Sequence, residues 1–166
     1  KKMQGADFLR TLNNLGGSFG IGRSVFSSDT IIGLKGRFVF EAPGITILMS
    51  AHRALEEAVL TDKQNLVKTQ IGQEWVNLVY RGFYFEPLRE NLEAFLLDSQ
   101  KMVSGEVTLK LSPGSVDAVA VSSKNILKSP EGEYAQSATW SESESKGFIK
   151  LIGQSTSTWA SIHKKQ

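Results

Sequence analysis

There is no cysteine in this sequence, which excludes disulfide frameworks and thiolate metal sites and suits a reducing cytosol. Histidine is nearly absent too. Only His52 and His163 occur, neither in an HExxH or comparable spacing, so a metal site would have to draw its other ligands from carboxylates. No apolar run approaches the roughly 20 residues a membrane helix needs. The opening "KKMQGADFLR" lacks the apolar core of a signal peptide. Charge of one sign is missing as well: 19 Lys and Arg against 17 Asp and Glu leave a scattered formal +2, no footprint for nucleic acid or an anionic membrane. Spacing alone picks no triad out of the many serines. No internal repeat is present. What these absences leave is a cytoplasmic globular chain of 166 residues, about one domain long, 40% hydrophobic and 22% charged.

Periodicity then organises the chain. Phe8, Leu9, Leu12 and Leu15 form one stripe of a short helix from about Ala6 to Leu15, which Gly16 and Gly17 are expected to end. "SVFSS" and "TIIGLKGRFVFE" read as strands, with turn chemistry placing a hairpin around 27–30. From Ile45 the period becomes helical to about Leu60, through Leu48, Ala51, Leu55, Ala58 and Val59. Thr61 and Asp62 offer caps for a second helix over 62–81, ended by Gly82, with Leu66, Ile71, Trp75, Leu78 and Val79 facing inward. "GFYFEP" reads as a packed aromatic corner. A third helix starts near Pro87 and buries Leu88, Leu92, Phe95, Leu96 and Met102.

Past Gly105 the period is two. "EVTLKL", "SPGS" and "VDAVAV" spell a hairpin. Residues 122–145, rich in Ser, Glu and Lys, read as a long loop; "KGFIKLI" reads as a strand and "STWASIHKKQ" as a short helix. Strands, helices and strands again indicate an α+β fold with a largely antiparallel sheet, packed helices and a C-terminal extension.

Four stretches carry candidate chemistry. "GGSFGIGR" is glycine-rich, but it follows a helix and precedes a strand, the wrong setting for a Walker or dinucleotide loop; it reads as a helix stop and tight turn. His52, on the edge of an apolar helix face, reads as a hydrogen-bonded structural histidine. "LEEAVLTDK", with Glu56, Glu57, Asp62 and Lys63, and "ESESK" read as solvated surface and an acidic loop. "DTIIGLKGRFVFEAPG" resists a bland account. Its Lys35 and Arg37 project from one side of a strand and repel unless water or an anion separates them, so the segment is either a charged bend or a cation pair over an anion.

In order, "GGSFGIGR", "IIGLKGRFVFEAPGITIL", "AHRALE", "LVYRGFYFEP", "SQKMVSGEVTLKL" and "SESKGFIKL" resemble the C-terminal region of the argininosuccinate synthase family, from about Phe8 to Leu151. The collinear series carries the resemblance; no single motif does. It implies residues 1–150 as a synthetase/multimerisation domain and 151–166 as a subunit-contacting tail. It further implies a ligase that joins citrulline to aspartate while cleaving ATP, with magnesium, to AMP and pyrophosphate. The family's Ser-Gly-Gly-x-Asp-Thr-Ser pyrophosphate loop is not in this sequence, so the chain is expected to be a fragment that binds no ATP tightly and does not turn over alone. No catalytic residue and no metal ligand is assigned to it.

Two citrulline contacts of the family, a glutamate and a tyrosine, fall on Ser28 and Phe40, both departures from the pattern. Asp29, one residue along, would replace the carboxylate only if a turn at 27–30 redirected it. Asp29, Lys35 and Arg37 are the possible pocket contacts, facing substrate, AMP or another subunit. The resemblance also implies a homotetramer, for which Trp159 and Ile162 are candidate docking residues. The alternative reading is a non-catalytic oligomerisation or binding module of the same architecture.

Overall fold

The computed structural model describes residues 3, 5–127 and 140–164. Among these, six helices and two two-stranded antiparallel sheets give an α+β fold. The order is α1 Gly5–Ser18, β1 Arg23–Asp29, β2 Lys35–Glu41, α2 Pro43–Val59, α3 Asp62–Tyr80, α4 Pro87–Ser99, β3 Glu106–Ser112, β4 Ser115–Ser122, α5 Glu142–Ile152 and α6 Gln154–His163. The strands form two separate ribbons, β1–β2 and β3–β4, where one largely antiparallel sheet was expected. The chain divides into two units, Lys1–Leu127 and Lys128–Gln166.

In the first unit α2 is the central element, in contact with α1, α3, β3 and β4. Its Ile47, Leu55 and Val59, with Ile21 and Leu60, form the buried core. The helix starts with Pro43 in its first turn and no side-chain cap of its own. Instead Asn13 of α1 accepts a hydrogen bond from the Gly44 N–H at 2.8 Å, satisfying one of the orphan donors of the helix start. Close approach of the two helices depends on Gly16, where a Cβ would stand 2.8 Å from both Pro43 Cβ and Ile47 Cδ1. Gly16 and Gly17 therefore lie inside α1 rather than ending it. The left-handed residues are Gly20 and Gly22, and a Cβ on Gly22 would meet the Ala42 carbonyl at 2.8 Å. "GGSFGIGR" is thus a packing seam at Gly16 followed by the expected turn, and not a helix stop at Gly16 and Gly17.

Thr61 caps α3 through a reciprocal capping box with Gln64, and Gly82, at φ +83°, follows its end. The inward face expected on α3 is only part-buried, and its Leu66 is exposed. The aromatic corner is open as well: Phe83 and Tyr84 are exposed and Phe85 is 93% exposed. Its organiser is a charge. Arg89, the buried residue of α4, donates from Nε to the Tyr84 carbonyl at 2.5 Å, lies 4.5 Å from the Tyr84 ring centre, and pairs with Glu93 and Glu90. Arg89 is thus the residue α4 buries, whereas Leu88, Phe95 and Met102 stay exposed. The β3–β4 hairpin matches its expected span, with a register shift at Thr108/Leu109.

In the second unit, "KGFIKLI" is helical, not a strand, and "ESESK" is its first turns, not a loop. Ser141 and Glu144 form a capping box that starts α5, and Lys146 reaches back one turn to Glu142. Phe148, Ile149 and Ile152 then fall at helical spacing. The short C-terminal helix is present as α6, where the Trp159 and His163 rings stack at 4.2 Å. The rest of the expected 122–145 loop, residues 128–139, lies outside the described residues.

Candidate functional site

The β1–β2 hairpin brings all five sequence-predicted site residues onto one ribbon and then divides them. Strand pairing runs from Arg23↔Glu41 to Asp29↔Lys35 without a bulge. Opposed residues share a face, and successive residues alternate. One face therefore carries Ser24, Phe26 and Ser28 against Phe40, Phe38 and Gly36; the other carries Arg23, Val25, Ser27 and Asp29 against Glu41, Val39, Arg37 and Lys35.

The turn spans Thr30–Leu34, three residues beyond the expected position. Thr30 N donates to the Leu34 carbonyl at 2.7 Å, Gly33 N donates to the Thr30 carbonyl at 2.8 Å, and Leu34 N donates to Thr30 Oγ1 at 3.1 Å. Gly33 takes φ +83°. Because the strand stays regular through Asp29, that carboxylate faces away from Ser28. It pairs with Lys35 Nζ at 2.7 Å.

On the Ser28 face the Phe26 and Phe38 rings pack with centroids 5.8 Å apart, between the Ser24–Phe40 and Ser28–Gly36 pairs. The Phe38 ring also folds over Gly36, where a Cβ would lie 2.7 Å from Phe38 Cζ. Ser28 is half-buried and Phe40 is exposed. This face offers two hydroxyls around an aromatic plane, suited to a planar polar group lying on the rings with hydrogen bonds at its edge. The opposite face is a charge ladder, with Asp29–Lys35 at one end and Arg23–Glu41, at 2.8 Å, at the other. Lys35 and Arg37 do share a side, but the Lys35 charge is answered by Asp29.

Sequence reasoning missed a second constellation. Glu56, expected on an exposed face, is 8% exposed. Its Oε1 lies 2.7 Å from Lys68 Nζ of α3, accepts from Gln100 Nε2 at 2.8 Å, and stands 3.0 Å from His52 Nε2. The cluster ties α2, α3 and the end of α4 together, and it floors a groove of about 830 Å³ along α2. The His52 ring, about half exposed, stands at this groove's edge beside that carboxylate. The only sequence hint was the four-residue spacing of His52 and Glu56. Among the described residues no group of three or more His, Cys, Asp or Glu is placed to hold a metal ion, and no helix is long and apolar enough to cross a membrane.

Comparison with known proteins gives the same answer as the collinear motifs. The model of the arginosuccinate synthase C-terminal domain matches residues 1–159. The chain is 52% identical over 164 residues to argininosuccinate synthase of Xanthomonas campestris, covering 99% of this chain and 41% of that protein. It is 51% identical to the enzyme of Xylella fastidiosa, with 99% and 41% covered, and 36% identical to that of Chlorobaculum tepidum, with 100% and 42% covered. The chain spans about two-fifths of the length of these relatives.

Proposed function

The chain belongs to the argininosuccinate synthase C-terminal domain family, and from that membership we propose that it supplies one wall of the citrulline pocket of an ATP-dependent carbon–nitrogen ligase acting in arginine biosynthesis. The observation that carries this reading is the hairpin: Ser28 and Phe40, at the family's two citrulline positions, share its aromatic face. The ureido group of citrulline is planar and polar at its edge. Against Phe38 and Phe40 it would stack, with Ser28 and Ser24 hydroxyls in reach of its N–H and oxygen atoms. Asp29 has no part in this contact, since Lys35 occupies it on the far face.

In this reading ATP and its magnesium are held outside this chain. Two glycines of "GGSFGIGR" are already occupied by close packing, Gly16 against Pro43 and Ile47 and Gly22 against Ala42, which supports that placement. In this reading the nucleotide and aspartate are held by the part of the enzyme that corresponds to the remaining length of the relatives, and this chain contributes binding and orientation of citrulline. The ligase works in the cytoplasm.

The second unit supports a role in assembly as a homotetramer. Phe148, Ile149 and Leu151 of α5 and Trp159 and Ile162 of α6 are all exposed, an apolar set that a neighbouring subunit would cover. Citrulline- and aspartate-dependent AMP formation tests the reading. The full-length enzyme should show it and lose citrulline affinity on Phe40→Ala, while the chain alone should show none. Turnover by the isolated chain would overturn it.

A further inference from the structure

No residue of the β1–β2 hairpin lines the groove along α2, so the groove stands apart from the pocket proposed above. Its volume, about 830 Å³, lies in the range of small-molecule sites, which are mostly apolar with a few convergent polar groups. Leu48, Met49 and Ile45 supply the apolar wall; Arg53, Glu56 and Lys68 supply the charges. We infer that this groove binds a free α-amino acid with an apolar side chain, its ammonium on Glu56 and its carboxylate on Arg53.

Three features of the geometry lead there. First, Lys68, Gln100 and His52 all reach the same oxygen of Glu56, Oε1. A carboxylate accepts at about four lone-pair sites. Among the described residues Oε2 accepts no hydrogen bond, and it is not sealed from solvent. That carboxylate, on a side chain nine-tenths buried that lines the groove, has room for one more donor entering from it. Second, Arg53 stands three residues before Glu56 on the same helix, a separation of about 5–6 Å between Cβ atoms, which suits the two ends of a zwitterion. Its own partner, Glu57, is 3.7 Å away on exposed surface, so the guanidinium can turn to a stronger acceptor. Third, Leu48, Met49 and Ile45 continue the same helix stripe one and two turns away, where a side chain would run.

Titrating the purified chain with L-leucine, and following backbone amide and His52 ring resonances by NMR, tests the site. 4-Methyl-2-oxopentanoate, which lacks the ammonium, and 3-methylbutylamine, which lacks the carboxylate, serve as matched probes. Leucine should saturate the shifts of His52, Arg53 and Thr69, and each probe should bind at least about tenfold more weakly, the worth of one charge-assisted hydrogen bond. Arg53→Gln, on exposed helix surface, should keep the fold and weaken leucine binding by about tenfold. Glu56→Gln should weaken it too, and if that variant unfolds, Arg53→Gln decides. Unmoved shifts with leucine, or equal shifts with all three compounds, would overturn the assignment.

Discussion

Asp29 and Lys35 pair across the hairpin at 2.7 Å, on the face that Ser28 and Phe40 do not occupy. The partner of the Lys35 cation belongs to its own ribbon, so the Asp29–Lys35 pair serves the hairpin and, in the proposed reading, leaves the aromatic face to the ligand. Asp29→Asn should therefore lower stability by only about 0.2–1 kcal/mol, less at high salt, because both groups are exposed. Citrulline KM in the full-length enzyme should stay within about twofold, a change well below that of one lost charged hydrogen bond. Denaturant titration at two salt concentrations, with a KM measurement, checks both halves.

Introducing the glutamate and tyrosine that the family resemblance implies at positions 28 and 40 should act on the other face. Ser28→Glu combined with Phe40→Tyr places a carboxylate and a hydroxyl beside the Phe26–Phe38 pair. If the aromatic face holds citrulline, KM for citrulline should fall by about tenfold or more, the effect of a charged hydrogen bond of about 1.5–3 kcal/mol. An unchanged KM would show that the ligand lies elsewhere.

Gly16 and Gly17 are neighbours in sequence and opposites in packing. A Cβ on Gly16 meets Pro43 and Ile47 at 2.8 Å, whereas on Gly17 its nearest contact is 3.9 Å away. Gly17→Ala should stabilise by up to about 1 kcal/mol through helix propensity. Gly16→Ala should destabilise, since overpacking of about 1–3 kcal/mol outweighs the same gain. Thermal unfolding of the two variants should shift in opposite directions.

Removing Glu56 strands Lys68 and Gln100. Glu56→Ala should cost about 3 kcal/mol, the low end for breaking a buried pair because Lys68 retains some exposure. Glu56→Gln keeps a hydrogen-bond acceptor for both and should cost less. Urea titration of the chain orders the two.

Glu144 is the acid-sensitive group of α5. Hydrogen bonds from the Ser141 backbone and side chain hold its carboxyl below the ordinary value. A depressed pKa means that the folded cap favours the ionised form, so its support of the helix is complete above the usual carboxylate range. That support fades as pH falls through the lowered pKa. Carboxyl carbon shifts should give a Glu144 midpoint below that of the free side chain, and Ser141→Ala should move it back up.

Where local chemistry decided the structure, the sequence was legible. The Thr61 cap, Pro87 at a helix start and the alternating "EVTLKL" all stand where their spacing puts them. The family resemblance was legible through the order of its motifs. α5 was misread because "KGFIKLI" fits a short strand as well as a helix, although Ser141 and Glu144 three residues apart announce a helix start. Glu56 was misread for a different reason: its partners lie 12 and 44 residues further on, and no local pattern reports a charge buried by such distant groups. Arg89 escaped in the same way, since the corner it organises looks apolar in sequence.

The alternation of the β1–β2 ribbon has an evolutionary consequence. Residues that keep the hairpin closed sit at odd positions of β1, and those at the proposed citrulline face sit at even ones. Substitutions can accumulate at 28 and 40 without touching the ion pairs at the ribbon's ends. In the proposed reading, a lineage can therefore alter how this face holds its ligand while the ribbon's ion pairs are kept. A single-residue insertion within either strand would exchange the two roles at once, so change at this site is expected to proceed by replacement and not by length.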